Sequence, residues 1–183
     1  MQPMIPYVPA DLQEPAELVN AIRARRGGEF INLDRMLLHS IPYARGWNIF
    51  MGAVRRDLSL PATLREIAMC GVAVLNGAEY EFIHHAPELL AAGGTEAQVK
   101  QLRSIGNADA DLSAFSALEQ DAIALTCHMT RDIKVPAELM QRLHRALGAT
   151  PLVELVGVIA AYNMVSRFLI ALGVTPESDD AGR

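Results

Sequence analysis

A chain of 183 residues fits one domain of ordinary size, long enough to bury roughly 70% of the surface its unfolded form exposes. Apolar residues make up 51% of it and aromatic ones only 5%, so the core has to be built from Ala, Leu, Val, Ile and Met, and an all-α fold is expected. The net charge of -5, from 16 basic and 21 acidic residues, excludes the electrostatic footprint of a nucleic-acid binder or of a protein held on anionic membrane.

Residues 1–10 carry Pro3, Pro6 and Pro9, whose fixed φ and missing donors favour an extended arm. The arm lacks the basic and apolar regions of a signal peptide, so a cytoplasmic location is expected. Asp11 and Glu14 make a capping-box pattern ahead of a helix from about Leu12 to Arg26, which Gly27 and Gly28 stop. The basic cluster Arg23, Arg25 and Arg26 reads as a solvated helix end. Asn32 or Asp34 caps a short helix through Met36, Leu37 and Leu38. From Tyr43 to Leu58, the residues Trp47, Phe50, Met51 and Val54 recur at the three- and four-residue spacing of a helix lying on a core.

Pro61 opens the next helix, which is apolar on nearly every side from Ile67 to Leu75 and is expected to be central. Asn76-Gly77 resembles a stop, yet helical character resumes from Ala78 to Ala92, as one bent helix or two abutting ones. Thr95 begins a shorter helix reaching about Ser104, and residues 106–113 read as a loop. Ser116 with Glu119 introduces Ala117 to Arg131; Pro136 starts another helix and Gly148 finishes it. The last helix, Pro151 to Leu172, is apolar for about twenty residues, long enough for a membrane span. Glu154, Asn163, Ser166 and Arg167 interrupt it, and charges at mid-bilayer are costly, so a buried core or interface helix is the better reading. The chain thus reads as about eight helices around one core from 11 to 174, followed by a polar tail, 175–183, expected to be flexible.

The densest group of ionisable residues lies in Arg65 to His85, REIAMCGVAVLNGAEYEFIHH. At roughly 100° per residue Glu81 and His85 share one helix face, and His84 is turned about 100° away. A fold at Asn76-Gly77 would bring Glu66 against His85. A carboxylate beside a histidine orients the ring and makes an acid/base pair able to work near neutral pH. Plainer readings stand beside this one: a weak surface pair for Glu81 and His85, a dipole role for Glu66, a packing role for Tyr80. In the last helix Tyr162, Asn163, Ser166 and Arg167 form a polar strip, in which Arg167 either pairs with a carboxylate of the fold or an interface, or grips a substrate carboxylate. Cys70 and Cys127 read as buried free thiols, and neither belongs to a C-x-x-C.

The stretch resembles the carboxymuconolactone decarboxylase and alkylhydroperoxidase (AhpD-like) family, whose redox branch carries E-x11-C-x-x-C-x-x-x-H. Glu66 matches the glutamate and His85 the histidine, while Ala78 and Glu81 stand at the two cysteine positions. The resemblance continues through APELLAAGG at 86–94 and YNMVSRFLIALGV at 162–174. It implies an all-α fold and subunits assembled into dimers, trimers or hexamers. The departure removes the dithiol peroxidase cycle, which needs a peroxidatic and a resolving cysteine. The resemblance then points to the decarboxylase-like branch, which lacks the cysteine pair and needs no cofactor.

The expected function is a cofactor-free acid/base enzyme acting on a small organic acid or lactone. His85 transfers the proton, Glu66 orients it and Glu81 acts as a second acid/base or sets the His85 pKa, with Tyr80, His84 and Arg167 as weaker substrate-binding candidates. A divalent metal held by Glu66, Glu81 and His85 in a metal-dependent lyase or hydrolase, and a non-catalytic small-molecule binding protein on the same scaffold, are the alternatives. The partners expected are a small-molecule substrate and further copies of the chain, with no nucleic acid and no membrane.

Overall fold

The computed structural model describes residues 2–177. Among them are nine α-helices and no strand, as the composition implied. They are α1 (Ala16–Arg26), α2 (Asn32–Leu37), α3 (Ile41–Arg56), α4 (Ala62–Asn76), α5 (Glu79–Ala91), α6 (Glu96–Leu102), α7 (Ala117–Arg131), α8 (Ala137–Leu147) and α9 (Ala149–Leu172). The described residues divide into two compact units, residues 2–56 with 169–177, and residues 57–168.

The first unit holds α1 to α3 and the end of α9. Helix α1 begins four residues later than the sequence suggests, because Pro15 pushes the residue before it out of the helical region. The Asp11–Glu14 capping box does not form; Glu14 Oε2 instead accepts the Ala16 N–H at 2.9 Å. Asp34 is not the N-cap residue but the third residue of α2, from which its Oδ2 accepts the Ile31 N–H at 3.4 Å, and it is 1% exposed. Arg26 grips it with Nε at 2.8 Å and Nη2 at 3.3 Å, and Arg25 Nη2 adds a bond at 3.0 Å. The reading of Arg25 and Arg26 as a solvated helix end is therefore corrected: a buried carboxylate needs compensating charge, and these two side chains supply it. On α3 the buried stripe is Ala44, Trp47, Met51 and Val54, while Phe50, expected in that stripe, is 48% exposed because it lies one step off it.

The N-terminal arm runs without helix to residue 15 and is tied down: Met4 donates to Leu172 O at 2.9 Å and Arg35 Nε to Val8 O at 2.8 Å. Of the tail expected to be flexible from 175, Thr175 N–H donates to Tyr7 Oη at 2.9 Å and Glu177 Oε1 accepts from Asn32 N–H at 2.7 Å. Residue 1 of the arm and residues 178–183 of the tail lie outside the described residues.

The second unit is organised on α4, which is buried at every position from Glu66 to Ala73. It ends at Gly77, whose φ of 69° is the left-handed conformation that a side chain disfavours, and the Ala78 N–H closes the turn on Ala73 O at 2.8 Å. The chain then reverses, so α4 and α5 are two helices in an antiparallel hairpin: Thr63 bonds Ala92 O at one end, and Glu66 meets His85 one turn in. Helix α7 crosses α4 at Gly71, where a Cβ would stand 3.2 Å from Thr126 Cγ2 and 3.3 Å from Ile105 Cδ1. Ile67, Cys70, Phe82, Leu89, Leu102, Phe115 and Ile123 form one core cluster. Thr95 with Gln98 and Ser116 with Glu119 form reciprocal capping boxes at the starts of α6 and α7.

Helix α9 has a mean hydropathy of 1.8 and is long enough to cross a bilayer. It nevertheless buries Leu155, Val158, Ile159, Tyr162, Val165 and Ser166 within the protein.

Removing the carboxylate of Asp34 strands two guanidinium groups that face it, a loss of about 3 kcal/mol for a broken buried ion pair. Asp34→Ala is expected to lower the midpoint of thermal unfolding followed by circular dichroism, and an unchanged midpoint would contradict the assigned role.

Candidate functional site

The α4/α5 hairpin places Glu66 and His85 on facing helices. His85 Nδ1 lies 2.8 Å from Glu66 Oε2, and Arg65 Nε donates to Glu66 Oε1 at 3.1 Å, so both carboxylate oxygens are engaged. The Glu66 side chain is 6% exposed and that of His85 12%. Burial pushes the Glu66 carboxyl up, but the bonds and charges of His85 and Arg65 together outweigh it and hold the group below the ordinary glutamate range. Glu66 is accordingly a carboxylate at neutral pH.

Helix α9 closes the cluster from the other side. Tyr162, fully buried, sets its hydroxyl 3.0 Å from His85 Nε2, with the rings edge to face at 4.9 Å. One turn on, the buried Ser166 hydroxyl lies 3.0 Å from both Glu81 Oε2 and Tyr162 O. Its single proton serves these two acceptors. Glu81 is thus 2% exposed and held through Ser166, on the same side of α5 as His85, one turn earlier. The polar chain runs Arg65, Glu66, His85, Tyr162, Ser166, Glu81. Neither Tyr162 nor Ser166 had a site role in the sequence reading. Their spacing of four in an otherwise apolar helix was the signal, but nothing local says which partner they meet.

The remaining candidates lie elsewhere. Tyr80 is buried and stacks on His84 at 4.3 Å, and His84 Nδ1 bonds Tyr80 O at 2.7 Å, so both are used along α5 itself. Arg167 is exposed, and its Nη1 bonds the Asn163 carbonyl at 2.8 Å and side-chain Oδ1 at 2.6 Å; the structure does not bring it into the Glu66–His85 chain. Asn163 in turn accepts from Asn76 and donates to Thr130, a packing network that joins α9 to α4 and α7. An open apolar hollow of 400 Å³, lined by Met140, Gln141, His144, Ala149, Leu152 and Val153, shares no residue with the cluster.

Cys70 is fully buried on α4. Burial pushes its thiol well above the ordinary range, and the carboxylates of Glu66 and Glu81 push it further, against a weaker opposing pull from Arg103. Such a thiol is not a nucleophile at neutral pH. Cys127 is likewise raised by burial. Among the described residues no group of three or more His, Cys, Asp or Glu side chains is placed to hold a metal ion.

The fold is shared with solved structures at low sequence identity. A peroxidase-related protein from Silicibacter sp. TM1040 superposes with a TM-score of 0.79 at 16% identity, covering 100% of this chain and 98% of its own. The debrominase Bmp8, in complex with 2,3,4-tribromopyrrole, gives 0.78 at 15%, covering 97% and 95%. An alkylhydroperoxidase AhpD core protein from Ralstonia eutropha JMP134 gives 0.77 at 14%, covering 94% and 93%. The fold is therefore AhpD-like. Residues 42–122, a segment that contains Glu66, Glu81 and His85, match the model of the carboxymuconolactone decarboxylase family. No curated protein matches the sequence significantly.

Because the Glu66 carboxyl is held below its unfolded value, it stabilises the fold above pH of about 4.3, and that contribution is lost as pH falls through the lower folded value. Glu66→Gln is expected to flatten the rise of unfolding free energy with pH in the window below about 4.3, measured by urea unfolding at several acid pH values. Parallel wild-type and variant profiles there would contradict the assignment.

Proposed function

We propose that this chain is a cofactor-free acid/base enzyme of the decarboxylase-like kind, acting on a small organic acid or lactone. The observation that carries the reading is the 2.8 Å bond from His85 Nδ1 to the buried carboxylate of Glu66. His85 moves the proton, and Glu66 orients the ring and stabilises the imidazolium as it forms. Glu81, buried one turn away and held by Ser166, is the second acid/base group. A histidine bonded to one buried carboxylate, with a second one turn away on α5, can supply the proton in the decarboxylation of an acid next to a carbonyl or lactone. There negative charge develops on the substrate, and a proton must be delivered to the carbon that loses carbon dioxide.

Support for this reading over a thiol peroxidase comes from the chain itself. Ala78 and Glu81 occupy the two cysteine positions of the redox branch, and the buried Cys70 thiol is pushed away from its reactive form. The metal-dependent alternative has no ligand cluster among the described residues. Assembly into a homo-oligomer and a cytoplasmic site of action belong to the same proposal. The exposure of Ile49 and Phe50 on α3, 70% and 48%, supports self-association.

The test is a panel of small lactones and of carboxylic acids with a neighbouring carbonyl, followed by carbon dioxide release and by uptake of acid at constant pH. On a substrate so found, His85→Ala is expected to lower kcat by about 10²- to 10⁴-fold, the usual worth of a positioned acid/base group, and Cys70→Ser to leave it within about twofold. Full turnover in His85→Ala, or no reaction across the panel, would overturn the proposal.

A further inference from the structure

Both ring nitrogens of His85 are met by side chains from different helices, Nδ1 by Glu66 of α4 and Nε2 by Tyr162 of α9. A neutral imidazole has one donor and one acceptor nitrogen, and the partner at each decides which is which. An ionised carboxylate accepts only, so the nitrogen facing Glu66 has to carry the hydrogen. In the neutral ring Nε2 is then the acceptor, and the hydroxyl 3.0 Å away from it donates.

The geometry points to Tyr162 as a positioning residue: its hydroxyl donates to His85 Nε2 and, with Glu66 on Nδ1, fixes the ring as the Nδ1–H tautomer whose basic nitrogen is Nε2. This rests on the proposed acid/base role of His85 only for its catalytic meaning, since the tautomer is a property of the resting protein. The two partners pull in opposite directions. Glu66 stabilises the imidazolium, whereas a hydroxyl donated to the Nε2 lone pair stabilises the neutral ring, and its proton must turn away when Nε2 is protonated.

Other charged or titratable groups facing this part of the second unit are Arg65 on α4, Glu81 and His84 on α5, and the Arg103–Glu79 pair, which joins α5 to the residue after α6. Arg65 is engaged by Glu66 and Arg103 by Glu79, so neither stands directly against the ring in these bonds. The fixed burial of Tyr162 follows from its place among apolar neighbours of α9, and Ser166 holds its carbonyl one turn on.

The measurement is a long-range ¹H–¹⁵N correlation spectrum of the full-length protein, with the His85 signals assigned by their loss in His85→Gln. The wild type is expected to show a protonated Nδ1 and an unprotonated Nε2 at neutral pH; a protonated Nε2, with Nδ1 bare or also protonated, overturns the assignment and needs no variant to do so. In titrations, Tyr162→Phe is expected to raise the His85 pKa by about half a unit or more, and Glu66→Gln to lower it. A Tyr162→Phe protein that keeps the wild-type helical circular dichroism but whose His85 pKa is unchanged or lower also overturns it. Because these spectra need no substrate, full turnover in His85→Ala would sink the proposed function and leave the role of Tyr162 to be decided here.

Discussion

The hydrogen bond between Glu66 and His85 is the constraint on which the site depends, because it requires two helices to meet at one point with a buried charge between them. An ionised carboxylate left alone in an apolar interior would be costly. Glu66 avoids that cost by engaging Arg65 with one oxygen and His85 with the other. The geometry follows from the reversal at Gly77, where the left-handed φ turns α5 back along α4. Helix α4 is packed on every side from Ile67 to Ala73, so it has little freedom to slide, and the register that puts residue 66 opposite residue 85 is held by the core.

Helix α9 completes the chemistry with groups that would be out of place in an apolar helix without partners. Tyr162 and Ser166 are one turn apart, and each finds a polar group of α5, His85 and Glu81 respectively. This links two carboxylates, a histidine, a phenol and a hydroxyl into one chain of bonds, whose members fix one another's orientation. Glu81 is a bonded carboxylate, and the nearby thiol of Cys70 is buried and held protonated.

Several features were legible because their causes are local. The reciprocal cap at Ser116 with Glu119 and the helix start at Thr95 need only neighbouring residues, and both formed as the pattern implies. Pro136 and Gly148 bracket α8 for the same reason. Where a nearby residue carried a stronger constraint the pattern misled: Pro15 prevented the Asp11–Glu14 box and delayed α1. The carboxylate of Asp34 met Arg25 and Arg26 across the first unit, a pairing between helices that no spacing along one helix could announce.

The sequence by itself determined the all-α class and, to within a few residues, most of the helices; at Asn76-Gly77 it marked a break without deciding between one bent helix and two. It also determined that Glu66, Glu81 and His85 were the residues to watch, since period, capping and glycine placement are written in neighbouring residues. Only the tertiary structure decided which of the polar residues meet. Tyr162 and Ser166 entered the cluster, while Arg167 turned back onto Asn163 and Tyr80 paired with His84 along α5. Those outcomes depend on how α9 is rotated against the α4/α5 hairpin. That rotation is set by the summed packing of apolar side chains far apart in the chain, which no local spacing encodes.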